Sequence, residues 1–480
     1  MLMVIFPLSA LLMGAAPSKK PPNIVFIMAD DLGYGHLGCY GQKHIRTPNI
    51  NRLAEEGMRF TQAYSGCTVC APSRCCLMTG LHSGHISVRG NGGGVSLQEE
   101  DVTVAGLLRQ NGYTNGLFGK WGLGKAGTAG VPNRKGFDEF FGYLHQLHAQ
   151  FYYTTFLWDN DKKVSLPQNA NGNPGTYTPD LIMDRAVDFV RRYRDKPFFL
   201  YLPVTIPHHE FIAPEETMKL YRGKFPETPI TKWRDKYALP REPKATFAAM
   251  VTHLDKGVGR LMDVLSELGL DENTIVFFTS DNGGAEGPLE NPVFFQANGP
   301  FRGYKRDMYE GGLRVPMIVR FPGRINPGSI SRHVTYFPDM LPTFLDLAGC
   351  TERTPKEIDG LSIAPVLFGK KNAKQHDFLY WETADYGRKL PYDIMPETLI
   401  QAVRQGRWKA VKNGPDVPVE LYDLESDVGE KHNLATRHPV LTSRLSEIMD
   451  REHRPAPPQV DLTAKAARQL YIPKVGVKEP

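Results

Sequence analysis

Short apolar runs that stop abruptly at polar residues alternate along this chain with stretches of helical periodicity. Residues 23–28 (NIVFIM) are continuously apolar and rich in β-branched side chains, and they end just before Asp30-Asp31. That is the signature of a strand buried on both faces of a parallel sheet. Thr47-Pro48-Asn49 then supplies helix-start chemistry, with Gly57 as the stop. The alternation continues with helical patterns at 102–110, 181–193, 245–268 and 338–348. The intervening strands fall at 198–202 (FFLYL), 274–278 (TIVFF) and 317–320. The pattern predicts an α/β fold with a large, mainly parallel sheet sandwiched by helices.

Past about residue 375 the texture changes. Apolar segments shorten (378–381, 402–403, 408–411, 421–422), and a last helical pattern occupies 441–449. A smaller α+β subdomain with an antiparallel sheet and a closing helix is expected there. The resulting division is a leader at 1–16, a catalytic domain at 23–374 and a C-terminal subdomain at 375–480. No internal repeat or low-complexity tract interrupts it.

Composition narrows the class. The 480 residues are 41% hydrophobic and 23% charged, with a formal charge of +5, values of an ordinary folded protein. The positive excess is too small and too dispersed for nucleic-acid binding, yet it is compatible with an anionic substrate. Residues 1–16 carry no charge and are mostly apolar. They are shorter than the ~20 residues of a spanning helix, and Gly14, Ala15 and Ala16 offer a cleavage region. They read as a secretory signal, the competing reading being a buried N-terminal helix. The expectation is an exported protein, periplasmic or secreted, without a membrane span. Of six cysteines, Cys67, Cys70, Cys75 and Cys76 fall within ten positions. Their spacing matches no ordinary zinc site, so most read as buried thiols.

Candidate chemistry lies where strands end, because ligands of open α/β sheets bind outside the carboxyl ends of the strands. Two predicted strands end at Asp30-Asp31 and at Asp281-Asn282. If these converge, the set is hard and all-oxygen, which selects one Ca²⁺, with Mg²⁺ as the second choice. The competing reading of each pair is a cap or a strand terminator. Between them lies Cys70-Ala71-Pro72-Ser73-Arg74, where Pro72 suits the first turn of a helix. Cys70 then stands at a helix N-terminus, which favours a negatively charged nucleophile or oxyanion, and Arg74 lies one turn on.

The C-x-P-S-R motif with Thr79-Gly80 behind it, preceded by Asp30-Asp31-Leu32-Gly33-Tyr34-Gly35, resembles the formylglycine-dependent sulfatases of the alkaline phosphatase superfamily, of the arylsulfatase and N-acetylgalactosamine-sulfatase type. Further family-like segments are Gly112-Tyr113-Thr114 running on to Gly119-Lys120-Trp121-Gly122-Leu123-Gly124. Lys305 with residues 309–316 (YEGGLRVP) and residues 420–424 (ELYDL) complete the series, in family order.

The resemblance implies an alkaline phosphatase-like fold and hydrolysis of sulfate monoesters, plausibly of a sulfated carbohydrate of galactose or N-acetylgalactosamine type. It implies that a separate formylglycine-generating maturation enzyme oxidises Cys70 to formylglycine (3-oxoalanine), whose hydrated aldehyde is the nucleophile. Asp30, Asp31, Asp281 and Asn282, with the modified Cys70, would hold the cation. Lys120 and Lys305 would neutralise the sulfuryl oxygens, Arg74 would orient the hydrated aldehyde, and His208 would act as general acid, with His209 the fallback.

One departure matters: many members carry histidine where this chain has Gly122, so either His208 acts without a second imidazole or another side chain, such as His145 or His148, occupies that space. His148 is also expected to touch substrate with Lys120, His208 and Lys305. The aromatic stretch 142–153 either walls the site or packs as an ordinary loop against its lid, and Trp158 and residues 211–233 are candidates for further walls. A phosphomonoesterase or phosphodiesterase of the same superfamily is the alternative enzyme, but Asp281 is followed by Asn282 rather than the histidine of two-metal sites. A non-catalytic saccharide-binding relative is the third reading, should Cys70 remain a thiol.

Overall fold

A computed structural model describes residues 20–91, 96–230, 237, 239–384 and 399–455. The leader 1–16 lies outside these residues, as do 231–233 of the expected wall and parts of the C-terminal region.

The centre of the molecule is a ten-stranded sheet. Its order runs Ser329–Ser331, Met58–Phe60, Met317–Arg320, Thr274–Ser280, Asn23–Asp30, Phe198–Pro207, Thr114–Lys120, Glu139–Tyr143, Phe156–Asp159, Lys162–Ser165. The five strands from Thr274–Ser280 to Glu139–Tyr143 are mutually parallel, while Met317–Arg320 and Phe156–Asp159 join them antiparallel.

Period-two alternation decides which side each residue faces. Val25, Ile27, Leu200, Leu202, Val276 and Phe278 pack into one apolar layer beneath the helices Pro48–Glu55, Thr178–Tyr193 and Pro243–Glu267. Ile24, Phe26, Phe199, Tyr201, Ile275 and Phe277 pack into the other, beneath Cys70–Thr79, Val104–Gln110 and Met340–Leu347. Phe26 illustrates the density: its ring lies 5.9 Å from that of Phe277 and 5.7 Å from that of Phe344. Truncating such a ring to alanine costs about 3–5 kcal/mol.

Two differences from the sequence pattern are informative. Thr114–Lys120 (TNGLFGK) is a central strand although glycines interrupt its apolar run. A Cβ at Gly119 would stand 2.1 Å from the carbonyl oxygen of Pro203, so the glycine serves the close approach of two backbones. Phe198–Pro207 runs five residues past the expected strand, with a register irregularity opposite Met28 and Asp30. That irregularity leads the chain into Asp31.

A second, four-stranded antiparallel sheet contains Leu379–Ala384, Leu399–Gln405, Trp408–Lys412 and Glu420–Asp423. Trp381, Ala402 and Val411 on one face pack against Tyr64, Leu313 and Tyr336 of the larger unit. Tyr380, Val403 and Ala410 on the other receive Leu445, Ile448 and Met449 of the helix Pro439–Glu452. No helix among the described residues is long and apolar enough to cross a membrane.

Candidate active site

Because the five central strands are parallel, their carboxyl ends share one edge, and the polar residues that end them are delivered to one place. Asp30 closes its strand, and Asp31 follows with φ +65°, a left-handed conformation in which an aspartate is tolerated. The turn is tied to the neighbouring strand end: the Asp31 N–H donates to Asp281 Oδ1 at 3.1 Å, and the Leu32 N–H to Ser280 Oγ at 2.9 Å. The two acidic segments, 250 positions apart in sequence, are thereby held in register.

Cys70 opens the helix Cys70–Thr79, all ten residues of which are buried. Its sulfur lies 3.4 Å from Asp30 Oδ1, 3.9 Å from Asp31 Oδ1 and 3.3 Å from Lys305 Nζ. Lys120, the last residue of its strand, places Nζ 2.6 Å from Asp30 Oδ2. Lys305 lies 2.6 and 2.7 Å from the two oxygens of Asp31. Arg74 donates from Nη2 and Nε to Asp281 Oδ2, at 2.7 and 3.1 Å, and from Nη1 to the carbonyl of Lys120 at 2.7 Å. His208 follows its strand and brings Nε2 to 3.5 Å from Asp31 Oδ2. Its carbonyl is held by the Tyr152 hydroxyl at 2.6 Å.

Burial and charge act against each other here. Burial pushes the Cys70 thiol up to about 12; Asp281 adds to the rise while Lys120 and Lys305 oppose it. For Lys305, burial favours the neutral amine, but Asp31, then Cys70 and Asp30, more than reverse this and hold it above the ordinary lysine range. Three buried carboxylates (Asp30, Asp31, Asp281) face two buried cations, Arg74 and Lys120, and the partly buried Lys305. This balance is what makes so dense a buried charge cluster tolerable.

The cluster can hold a divalent cation. Asp30, Asp31, Cys70 and His208 each offer a ligand atom within 4.8 Å of the others. Asn282 donates from Nδ2 to Asp31 Oδ1 at 2.8 Å, and its buried Oδ1 has no hydrogen-bond partner. An orphaned amide oxygen on a residue bonded to the Asp31 carboxylate is a ready additional ligand for a divalent cation. Asp281 joins the set through Asp31 and Arg74.

The structure therefore brings Asp30, Asp31, Cys70, Arg74, Lys120, His208, Asp281, Asn282 and Lys305 together. Arg74, expected to orient the hydrated aldehyde, grips Asp281 and the Lys120 carbonyl, with Nη2 3.8 Å from Asp30 Oδ1. One expectation is corrected and one open alternative is decided. His148 is fully buried, with Nε2 2.8 Å from Thr154 Oγ1 and its ring against Tyr143 and Phe156. Burial pushes its pKa down to about 3, so it is a neutral core residue with no surface to offer a substrate. The space beside Gly122 is taken by Gln146 instead of a histidine: a Cβ on Gly122 would lie 2.1 Å from Gln146 Nε2. Gln146 was missed because its stretch draws attention through aromatics and histidines. Residues 142–153 are buried throughout, and their rings are consumed by packing. His209 points toward Glu290, 3.7 Å away.

The family profile described as Sulfatase covers residues 22–350 of this chain. The chain belongs to the sulfatase family. A second profile, N-sulphoglucosamine sulphohydrolase, C-terminal, covers residues 301–453 of this sulfatase. Arylsulfatase A of Homo sapiens is 33% identical over 475 residues, covering 89% of this chain and 86% of that protein. N-acetylgalactosamine-6-sulfatase of Canis lupus familiaris is 32% identical over 397 residues, covering 78% and 71%. The crystal structure of Ps i-CgsB in complex with k-i-k-neocarrahexaose is similar with a TM-score of 0.74 at 28% identity, covering 94% of this chain and 98% of that one. The sulfatase is a sulfuric ester hydrolase whose alkaline phosphatase-like fold places the cluster around Cys70 at the sheet edge.

Proposed function

We propose that this sulfatase hydrolyses sulfate monoesters on a saccharide, of galactose or N-acetylgalactosamine type, with a formylglycine made from Cys70 by a maturation enzyme and a single divalent cation, Ca²⁺ before Mg²⁺. The observation that carries this reading is the position of Cys70. It is the first residue of a helix, its sulfur 3.4 Å from an Asp30 oxygen and 3.3 Å from the Lys305 ammonium. A nucleophile there meets helix N–H groups and lysines that favour its anion.

Asp30, Asp31, Asp281 and Asn282, with the modified Cys70, would hold the cation, and Arg74 steadies Asp281. When bound, the cation supplies Lewis-acid stabilisation of negative oxygen. The protein's own side chains do the remaining work. Charge supports the substrate class: the carboxylates and fixed cations balance, so a divalent ion leaves two positive charges for an anionic ester and an anionic nucleophile. Lys120 and Lys305 then bind the sulfuryl oxygens, and His208 delivers a proton to the leaving alcohol oxygen. The names of the relatives, N-acetylgalactosamine-6-sulfatase among them, favour a saccharide.

Residues 23–374 are proposed as the catalytic domain and 375–480 as its companion subdomain. Residues 1–16 are proposed as the leader of an exported, periplasmic or secreted protein.

The experiment is peptide mass spectrometry across Cys70 on material made with the maturation enzyme, paired with sulfate and phosphate release from matched aryl esters. An aldehyde at position 70 and preferential sulfate release are expected. A plain thiol in fully active protein overturns the nucleophile, and preferential phosphate release overturns the substrate class. Cys70→Ala is expected to abolish turnover with the thermal midpoint preserved.

A further inference from the structure

A second group of metal-ligating side chains lies beyond the far end of the Cys70–Thr79 helix, in the turn that follows it. His82 and His85 sit three positions apart there, with ring centroids 3.9 Å apart. Two carboxylates from distant segments meet them: Asp359, and Glu452 at the end of the helix Pro439–Glu452. His82, His85 and Asp359 each offer a ligand atom within 4.8 Å of the others. His82 Nε2 lies 3.2 Å from Glu452 Oε2 and 3.7 Å from Asp359 Oδ1, and His85 Nε2 lies 3.8 Å from Glu452 Oε2. Tetrahedral zinc with bonds of about 2.1 Å sets its ligand atoms about 3.4 Å apart. The three separations bracket that edge length.

The surroundings complete the arrangement. His85 Nδ1 lies 2.9 Å from Asp359 Oδ2. Since a carboxylate only accepts, Nδ1 carries a proton, and in the neutral imidazole the lone pair is then on Nε2, the outer-shell device that orients metal-binding imidazoles. Arg451 Nε takes Glu452 Oε1 at 2.7 Å, leaving Oε2 turned to the imidazoles. The His82 N–H donates to Asp359 Oδ2 at 2.8 Å and fixes that carboxylate. Gly84 lets the end of the C-terminal helix come close, since a Cβ there would stand 2.4 Å from the Glu452 carbonyl oxygen. One contact has to yield. The Gly84 N–H points at His82 Nδ1 at 3.2 Å, and ligation through Nε2 moves the His82 proton to Nδ1.

We propose that His82, His85, Asp359 and Glu452 form a second cation site, selective for a transition metal such as Zn²⁺, that clips the C-terminal helix to the sulfatase core. Two imidazole nitrogens among its four donors favour a borderline metal such as Zn²⁺. Binding there would stabilise the folded chain by mass action.

The test titrates Ca²⁺-saturated protein with Zn²⁺ alone, reading stoichiometry by calorimetry and the thermal midpoint by fluorescence. One equivalent is expected, with a rise of the midpoint by several degrees that Asp31→Asn retains. His85→Gln and, separately, Glu452→Gln are each expected to weaken Zn²⁺ binding by about 100-fold or more. The thermal midpoint of each variant without Zn²⁺ checks that its fold is intact. Co²⁺ added to the unaltered protein is expected to give the intense visible absorption of a tetrahedral site. Absence of Zn²⁺ uptake overturns the proposal, as does uptake that Asp31→Asn removes, uptake that survives both Gln variants, or a Co²⁺ spectrum without those bands.

Discussion

Arg74 closes its guanidinium on Asp281, with Nη2 2.7 Å from Oδ2 and both side chains wholly out of solvent. The pair lies directly behind the strand-end carboxylates, because Asp281 Oδ1 in turn accepts the Asp31 N–H. Arg74 is thus a positioning residue for Asp281 and Asp31. Removing one partner leaves a buried uncompensated charge, which costs about 3–5 kcal/mol. Arg74→Met is expected to lose that much stability by urea denaturation and to lose Ca²⁺ affinity with it. Normal Ca²⁺ affinity in a stable Arg74→Met protein would show that Asp281 holds its place unaided.

Gly122 has φ +77°, and Gln146 occupies the space its side chain would need. Gly122→Ala is expected to destabilise the protein by roughly 1–3 kcal/mol. Gly122→Ala combined with Gln146→Ala is expected to recover part of that loss, the strained backbone retaining the rest. A double-mutant cycle on unfolding free energies measures the coupling, and a value near zero would place the cost in the backbone alone.

His148 stays neutral in the folded protein down to about pH 3, whereas an unfolded-chain histidine takes up its proton near 6.5. Between those values the unfolded state binds one more proton at this site. Stability therefore falls as pH drops through that window, by up to about 1.4 kcal/mol per pH unit from this group. His148→Phe is expected to flatten the acid limb of a plot of urea midpoint against pH by one proton. An unchanged slope would mean that His148 titrates normally in the native state.

Chelation of divalent ions is expected to lower the hydrolytic rate on the order of 100-fold or more, with Ca²⁺ restoring it. Asp31→Asn is expected to raise the Ca²⁺ concentration needed for half-maximal rate. Full activity in metal-free buffer would remove the cation from the mechanism.

The sequence alone determined the α/β class, the strand ends that carry Asp30-Asp31 and Asp281-Asn282, and the placement of Cys70 at a helix start. These follow from local rules: buried parallel strands need continuous apolar runs, and helices need start and stop residues. It also carried the sulfatase resemblance, since that rests on motifs short enough to read along the chain. Tertiary structure alone decided what each polar side chain touches. That Arg74 grips Asp281, whether His148 faces a substrate or Thr154, and that Gln146 fills the gap at Gly122 depend on contacts between segments remote in sequence. Local periodicity says which face of an element a residue occupies; only the packing of several elements at once says what stands opposite it.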